Sequence, residues 1–496
     1  MGSAATDCLA ATHGIKPMKI DDQVKNLFIA PDKSNLSIIE ETIALFIAQM
    51  LGYLSDANNS APLPIFSKSP SAEFDIPSHG LDSLAIQSKL SKLYQNSMNP
   101  ANSRYLGHMD SIPTLYSILG EMIASAINNN MLSLEMSPYL TQLEHYLIQQ
   151  FTQLFGLSPE TSGGVIVSGG SLANLQALVV ARNQSLNVKD TGLCSNTKIP
   201  VIFTSEASHA SVVKSAMIMG IGINNVIKIK CNHKYQMCPQ DLQDKIKFHL
   251  AQAHVPIAIV ATAGTTVTGS IDPLQEIAAI AERNKIWLHV DAIYGGALIF
   301  SPEHKYRLSG IELADSISFN PQKWLYVAKT CSMLLFKNYP AMVDNFRVSA
   351  PYMKEQTDFI NLGEITIQGS RNAEVLKLWL SLLSIGTDGY RQLINHGYSL
   401  SHKFTQLVAK LAFIELITEP ETNVICFRIK AEDINQQEQL NIALQEYLLK
   451  HGVFVSMPRF NGQIWLRMVL LNPFTDENII EELCSYLQTF YDECDT

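Results

Sequence analysis

Between residues 103 and 386, short apolar runs alternate with longer segments of helical periodicity, and this alternation restricts the fold more than any other feature of the sequence. Short runs rich in β-branched residues are typical of buried strands, and a helix between consecutive strands is the connection that a parallel sheet requires. The predicted strands are residues 164–167, 201–204, 225–228, 257–262, 287–291, 316–319 and 332–336. The sequence therefore predicts an α/β domain with a large, mostly parallel seven-stranded sheet.

Helical segments precede this region, and a smaller mixed region follows it. Apolar residues recur at helical spacing at residues 37–51 and 81–94, on either side of a stretch rich in Pro, Ser and Asn. After a helical segment at 372–383 and a break at 386–389, strands are predicted at 424–429, 453–456 and 464–470. The predicted domains are a helical N-terminal arm over 1–102, the large domain over 103–386 and a small α+β C-terminal domain over 387–496.

Composition excludes several classes of protein. The 46 acidic and 36 basic residues give a net charge of −10, without the Lys and Arg cluster that nucleic acid or an anionic membrane requires. Apolar runs such as 257–261 are far shorter than the roughly 20 residues of a membrane span, and no export signal is recognisable at the N-terminus. The 8 cysteines form no Cys-x-x-Cys pair. We expect no nucleic-acid, membrane or metal partner, and a reducing, cytoplasmic setting.

A glycine-rich turn follows the first predicted strand. Residues 165–174 read Val-Ile-Val-Ser-Gly-Gly-Ser-Leu-Ala-Asn and continue into a helix. Glycine allows the backbone to approach a ligand closely, and the free N–H groups of a helix start bind anions. The turn with Gly170 and Ser171 is a candidate anion site; a tight turn with a serine cap is the alternative.

Two further segments follow predicted strands at the same edge of the sheet. Residues 262–273 supply small and hydroxyl side chains, and an open α/β sheet binds its ligands at this edge. We assign Thr266 to the cofactor, with a polar loop of no function as the alternative. His209 follows the strand 201–204 in Ser-Glu-Ala-Ser-His-Ala-Ser; a lone histidine is more often structural.

Asp291 and Lys323 complete the candidate site. Asp291 ends an apolar strand, where a buried carboxylate is costly unless it is paired, and a pyridinium nitrogen would be such a partner. Lys323 lies in Asn-Pro-Gln-Lys-Trp after the strand 316–319, and an amine whose pKa is lowered by burial can form a Schiff base. An aspartate cap and a solvated lysine are the alternatives for the two residues taken singly.

Together these segments resemble the group II pyridoxal-phosphate-dependent amino-acid decarboxylases, which include glutamate, aspartate and aromatic-amino-acid decarboxylases. The resemblance implies the pyridoxal 5'-phosphate (PLP) fold type I, which is aspartate aminotransferase-like, and an obligate homodimer with active sites at the interface. It also implies three contacts with the cofactor ring: His209 stacks on it, Asp291 pairs with its nitrogen, and Lys323 forms the Schiff base.

The same resemblance implies that Gly170 and Ser171 hold the phosphate and that Thr266 lies near the ring substituents. One residue departs from the family pattern. The family usually has His immediately before the Schiff-base lysine, where it helps to bind the phosphate, and this chain has Gln322. Glutamine donates a neutral hydrogen bond without a charge, so we expect weaker or differently shared phosphate binding.

Residues 350–354, Ala-Pro-Tyr-Met-Lys, resemble the mobile loop that closes over the substrate in this family. Tyr352 would protonate the substrate carbon after carbon dioxide leaves. Relatives that form aldehydes oxidatively generally have Phe at this position, so Tyr352 favours simple decarboxylation; an amphipathic surface tyrosine is the alternative.

Residues 103–111 resemble the substrate loop of the family, which assigns His108, Asp110 and Ser111 to substrate binding. The Asp110 carboxylate would attract the terminal ammonium of diaminobutyrate, ornithine or lysine. A cationic His108 would instead favour an acidic substrate such as aspartate. Arg467 matches a C-terminal arginine that can bind a substrate carboxylate, with an ion pair inside the small domain as the alternative.

The predicted reaction is decarboxylation of an L-amino acid to the corresponding amine and carbon dioxide, a step of carboxylic acid metabolism. The first alternative is another fold-type-I reaction, by an aminotransferase, an aldehyde-forming enzyme or a carbon-carbon lyase. The second is a catalytically silent homologue, whose expected mark is loss of Lys323 or Asp291. This chain has both residues.

Overall fold

The computed structural model describes residues 20–64, 74–349 and 359–495. The chain divides into two compact units, one formed by Met1–Asp56 and Pro64–Ser97 and the other by Ala57–Leu63 and Met98–Thr496. The three domains predicted from the sequence, with borders after residues 102 and 386, remain a prediction.

The first unit is helical. Its helices are α1 (Asp22–Lys25), α2 (Leu36–Ser55) and α3 (Ser83–Gln95). The stacked rings of Tyr53 and Tyr94 join α2 to α3, with their centroids 4.7 Å apart, and the Asp82 side chain caps α3 by accepting from the Ala85 N–H. The helices predicted at 37–51 and 81–94 are both present.

Helix α2 has 20 residues and is, by length and composition alone, apolar enough to cross a membrane; it is the one such helix among the described residues. The sequence predicts no membrane span because its apolar runs are short, and in this helix Glu40 and Glu41 interrupt the apolar run. Side chains such as Ile38 and Leu45 are exposed. The helix thus has apolar surface that its own unit does not cover.

The second unit contains one large sheet. Its strands are β1 (Gly163–Val167), β2 (Pro200–Ser205), β3 (Val226–Ile229), β4 (Val255–Thr262), β5 (Trp287–Asp291), β6 (Ser316–Phe319) and β7 (Ser332–Phe336). Their order is β1-β7-β6-β5-β4-β2-β3. Strands β2 to β6 pair in parallel, and β7 is antiparallel to both neighbours. The predicted seven-stranded, mostly parallel sheet is confirmed.

Helices cover both faces of this sheet, as its apolar strands require. The helices of the second unit are α4 (Leu115–Ile127), α5 (Pro138–Leu154), α6 (Gly170–Leu186), α7 (Ser211–Ile218), α8 (Pro239–Ala251), α9 (Leu274–Asn284), α10 (Tyr339–Phe346), α11 (Glu374–Val408), α12 (Ile434–Lys450) and α13 (Glu477–Asp495). Helix α11 is kinked at Gly386, whose φ of 67° is not helical. This kink lies at the break predicted from the sequence.

The C-terminal part has two smaller antiparallel sheets and its own hydrophobic cluster. The strands are β8 (Ile414–Leu416), β9 (Val424–Ile429), β10 (Arg459–Phe460), β11 (Gln463–Ile464) and β12 (Leu466–Val469). One sheet has the order β12-β9-β8, and the other pairs β10 with β11. The predicted strand 464–470 is divided between β11 and β12. Strand β8 was not predicted, because an apolar run of this length does not distinguish a strand from the end of a helix.

The predicted strand at 453–456 is wrong. This segment forms only isolated bridges, one between Phe454 and Tyr105 and one between Ser456 and Arg467. The Phe454 N–H donates to the Arg104 carbonyl at 3.0 Å, and its carbonyl accepts from the Leu106 N–H at 2.9 Å. The segment therefore forms no strand, but its two bridges connect the predicted substrate loop to Arg467 of β12.

Candidate active site

A cavity of about 590 Å³ lies at the edge of the large sheet where β2, β4, β5 and β6 end. Five segments that are distant in sequence form its walls. All seven residues assigned to the cofactor line this one cavity: Gly170, Ser171, His209, Thr266, Asp291, Gln322 and Lys323. These residues therefore share the edge of the sheet at which an open α/β sheet binds its ligands, and their assignment to the cofactor remains a prediction.

The glycine-rich turn connects β1 to α6 and brings the start of α6 to the cavity. Gly169 has a φ of 120°, a conformation that side chains disfavour. A Cβ atom on Gly170 would lie 2.2 Å from the Ile293 Cδ1 atom, so a larger residue there would require the Ile293 side chain to shift. The first N–H groups of a helix have no partner within the helix. With the Ser171 hydroxyl, they form a donor set suited to a phosphate.

Asp291 is buried at the end of β5, beside Thr262 in β4 and Ser318 in β6. Its Oδ2 atom accepts from Asn174 Nδ2 at 2.8 Å, and its Oδ1 atom accepts from the Ile293 N–H at 3.2 Å. The Thr262 Oγ1 atom, also on the cavity wall, is buried without a hydrogen-bond partner among the described residues. A polar ligand here would satisfy that hydroxyl, and Asp291 supplies a counter-charge for a cationic ring nitrogen.

Lys323 follows β6 and is half-buried. Its Nζ atom lies 3.7 Å from Met109 Sδ, and its carbonyl accepts from Ser111 Oγ at 2.8 Å. Burial lowers the pKa of the Lys323 amine, although the carboxylates of Asp291 and Asp110 act in the opposite direction. An amine with a lowered pKa is more often neutral, which is the form that attacks a carbonyl carbon.

His209 lies between β2 and α7, and its protonation follows from its hydrogen bonds. The Nδ1 atom accepts from the Ser211 N–H at 3.1 Å and lies 2.9 Å from Ser211 Oγ. Nδ1 is therefore unprotonated, and the proton of the neutral ring is on Nε2. Burial also lowers the pKa of His209. The ring enters the cavity wall as a neutral imidazole.

Gln322 has a fixed orientation. Its Oε1 atom accepts from the Cys331 N–H at 2.6 Å, and because the backbone N–H can only donate, the oxygen of the amide must lie on that side. The Nε2 group is then available as a neutral donor to the cavity. Lys214 of α7 also lines the cavity and brings a positive charge that the sequence did not assign.

Four residues assigned to the substrate, His108, Asp110, Ser111 and Arg467, are not among the described residues that line this cavity. Arg467 binds backbone and neutral groups instead of a carboxylate. Its partners are Ser456 Oγ at 3.0 Å, Thr266 O at 2.7 Å, Gly107 O at 3.0 Å and His108 Nδ1 at 3.1 Å. The guanidinium group therefore fastens the predicted substrate loop to the segment that carries Thr266.

The two charged groups that the sequence predicts on this loop, the Asp110 carboxylate and a cationic His108, both have partners elsewhere in the fold. The Asp110 carboxylate forms an ion pair with Lys329. Because arginine only donates, His108 Nδ1 must accept from Arg467, and burial followed by the Arg467 charge lowers the pKa of His108. The ring is therefore neutral near neutral pH, with its proton on Nε2. Tyr352 lies outside the described residues.

The residues on the cavity walls fit PLP. A helix start suits the phosphate, Asp291 suits the ring nitrogen, the Lys323 amine suits the aldehyde, and the unpartnered Thr262 hydroxyl can accept a further polar contact. Within the part of the chain that the structure describes, no group of three or more His, Cys, Asp or Glu side chains could hold a metal ion.

Comparisons with known proteins agree with this reading. Residues 73–430 match the model of the pyridoxal-dependent decarboxylase conserved domain; this range includes every residue assigned to the cofactor but not Arg467. The structure of mouse CSAD is 26% identical, with 90% of this chain and 98% of that chain covered and a TM-score of 0.83.

Two further solved structures have the same fold. The glutamate decarboxylase domain of a diaminobutyrate-pyruvate transaminase and L-2,4-diaminobutyrate decarboxylase from Vibrio parahaemolyticus is 25% identical, with 95% of this chain and 99% of that chain covered and a TM-score of 0.83. Oryza sativa TDC with PLP and tryptamine is 22% identical, with coverages of 94% and 100% and a TM-score of 0.87. The predicted fold type I is confirmed.

Proposed function

We propose, from the premise that the chain belongs to the pyridoxal-dependent decarboxylase family, that it converts an L-amino acid to the corresponding amine and carbon dioxide. Family membership makes the chain a PLP-dependent carboxy-lyase. The observation that carries the finer proposal is the single cavity in which Lys323, Asp291 and His209 lie together beside a helix start.

Three residues of the chain would each make a different contact with the cofactor. The Lys323 amine is the point of covalent attachment, and its lowered pKa makes the neutral, reactive form accessible. The Asp291 carboxylate holds a proton on the ring nitrogen by charge pairing, and the neutral His209 ring supplies a flat face. Pyridoxal phosphate, when bound, supplies an electron-withdrawing ring that accepts the electron pair left when carbon dioxide departs.

The final proton must reach the carbon that lost carbon dioxide. We assign this transfer to Tyr352, the tyrosine of the segment that resembles the family's closing loop. The chemical reason is that a phenol is an acid whose proton can be positioned at one carbon atom. Transfer at that carbon completes the amine product.

Substrate choice is proposed to depend on the segment with His108 and Asp110. The ion pair with Lys329 offsets the Asp110 charge, so a basic side chain would have to compete with an internal ammonium group. His108 presents a neutral Nε2–H donor, which suits an acceptor on the substrate side chain. The names of the solved structures compared above refer to different amino acids and amines. A broad panel of amino-acid substrates is therefore needed to identify the substrate of this chain.

A homodimer is part of the proposal. The outward face of α4 exposes six large apolar side chains: Leu115, Tyr116, Leu119, Met122, Ile123 and Ile127. An exposed apolar patch of this kind on a folded unit typically marks an interface with another chain. Sedimentation of the purified protein gives the oligomeric state, and a monomer at micromolar concentration would contradict this part of the proposal.

Product analysis tests the reaction. The purified protein is incubated with acidic, basic and aromatic L-amino acids, and carbon dioxide, amine, aldehyde and keto acid are measured separately. We expect equal amounts of carbon dioxide and amine from one substrate class, and a visible absorbance band of the cofactor that borohydride removes. Lys323→Ala should abolish both, whereas Lys410→Ala, an exposed lysine outside the cavity wall, should change neither. Keto acid or aldehyde as the main product would overturn the proposal.

A further inference from the structure

Asn174, in the second turn of α6, is completely buried and uses its entire hydrogen-bonding capacity. Its Nδ2 group donates to Asp291 Oδ2 at 2.8 Å and to Ser211 Oγ at 2.9 Å. Its Oδ1 atom accepts from His289 Nε2 at 3.0 Å and from Ser318 Oγ at 2.7 Å. A carboxamide has two N–H donors and two lone pairs on its oxygen, so no further bond can be added.

The direction of these bonds is fixed from the Asp291 end. An ionised Asp291 only accepts, so the Nδ2 group of Asn174 must face it, and Asn174 Oδ1 faces His289 Nε2. An amide oxygen only accepts, so the proton of the neutral imidazole is on Nε2. Nδ1 must then accept from the Ser316 hydroxyl at 2.9 Å, and Ser316 Oγ in turn accepts from Trp287 Nε1 at 2.9 Å.

The chain of bonds from Trp287 to Asp291 is shielded from water. His289, Ser316 and Asn174 have no exposed surface, and burial lowers the pKa of His289 to about 4. The imidazole therefore stays neutral near neutral pH. In a medium of low polarity, reversing one bond would leave a buried donor or acceptor without a partner, at a cost of about 1–3 kcal/mol. A single arrangement of protons results.

A branch of the same network leads to His209. Ser211 Oγ accepts from Asn174 Nδ2 and lies 2.9 Å from His209 Nδ1, to which its hydroxyl proton is then directed. One amide thus orients both the carboxylate at the ring nitrogen and the imidazole at the ring face.

We propose that Asn174 is a positioning residue that holds Asp291 and His209 together in their cofactor-binding orientation, with His289 as the support that keeps the Asn174 amide from turning over. This inference rests on the proposed function, because it takes the cofactor ring to lie between Asp291 and His209. Asn174 acts through these two residues and is not itself a catalytic residue.

Asn174→Asp tests the proposal with little change in shape. It replaces the donor that faces Asp291 with a second carboxylate, and two carboxylates at this distance cannot both ionise. Apoprotein is titrated with PLP and binding is followed by absorbance. We expect the Kd for PLP to rise at least about tenfold, equivalent to about 1.4 kcal/mol. Asn183→Asp is the matched control: Asn183 is also a buried asparagine of α6, but its Nδ2 group donates to Asn345 O.

A second pair of variants separates positioning from packing and decides the matter if Asn174→Asp does not fold. His289→Leu removes the donor to Asn174 Oδ1, whereas His289→Gln restores a donor at the same reach. We expect His289→Leu to raise the Kd for PLP at least about threefold and His289→Gln to remain within about twofold of the unaltered protein.

Two results would overturn the inference: an unchanged Kd in folded Asn174→Asp, or equal Kd values for the leucine and glutamine variants. Both differ from failure of the proposed function. That failure would appear in the unaltered protein, as absent PLP binding or absent carbon dioxide release.

Discussion

Replacement of Gln322 by glutamate tests which part of the cofactor lies beside this side chain. In the structure, Gln322 Oε1 accepts from the Cys331 N–H at 2.6 Å, and a glutamate oxygen can keep that bond. The second oxygen of the glutamate takes the place of the Nε2 donor. If the phosphate is bound at this position, a favourable contact becomes a repulsion between anions, with almost no change in volume.

The magnitude follows from charge and burial. Two unit charges 4 Å apart interact by about 1 kcal/mol in water and about 4 kcal/mol at an effective dielectric constant of 20. Gln322 is half-buried, so a value between these limits applies. Roughly 2 kcal/mol of repulsion corresponds to a rise of about 30-fold in the Kd for PLP. Gln322→Met, which loses the donor without adding a charge, should have a smaller effect.

Pyridoxal, which lacks the phosphate, is the internal control. Apoprotein with Gln322→Glu is titrated with PLP and with pyridoxal under the same conditions, and the two affinities are compared with those of the unaltered protein. We expect a large loss for PLP and little change for pyridoxal. Equal losses for the two ligands would show that the variant disturbs the ring site or the fold, and would refute the assignment of Gln322 to the phosphate.

Three further predictions follow from the same contacts. Asp291→Asn removes the counter-charge of the ring nitrogen and should lower kcat on the order of 100-fold while PLP remains bound; an unchanged kcat would contradict the assigned role. Arg371→Met leaves the buried Glu144 carboxylate unpaired and should lower the free energy of unfolding by about 3–5 kcal/mol in a denaturant titration, whereas Arg459→Met, in an exposed ion pair, should cost under about 1 kcal/mol. Because burial lowers the pKa of His289 from 6.5 to about 4, the unfolded state binds its proton first as the pH falls. Stability is then lost between these values, and the pH dependence of unfolding should be shallower in His289→Gln.

The sheet and the cofactor residues could be predicted because both depend on local patterns. Strands such as Trp287–Asp291 are apolar runs with clear ends, and the observed bounds agree with the predicted ones. Once the strands are known, the edge rule places His209, Asp291 and Lys323 in one cavity without any knowledge of packing. The short strand Ile414–Leu416 lacks such a pattern, and its pairing with β9 depends on the tertiary fold.

The role of Asn174 could not be predicted from local sequence patterns, because its hydrogen-bond partners are distant in sequence. The sequence places it near the glycine-rich turn, but its partner Asp291 is 117 positions away, and His289 is 115 away. A polar residue within an apolar helix has no recognisable partner until the helix is packed on the sheet. A buried amide in the turn after a glycine-rich loop, three residues beyond Ser171, is nevertheless a signal that could have been used, because burial obliges every polar group to find a partner.

The charges of the predicted substrate loop are a property of the fold and cannot be read from residues 108–110 alone. Asp110 and Lys329 are 219 positions apart, and His108 and Arg467 are 359 apart, yet each pair is in contact. The first contact offsets a negative charge, and the second keeps an imidazole neutral. Each sequence argument for a substrate assumed an isolated charge, whereas the folded chain pairs Asp110 with Lys329 and keeps His108 neutral. We infer that the hydrogen-bond direction at His108, with its proton on Nε2, bears more on substrate choice than the formal charge of the loop.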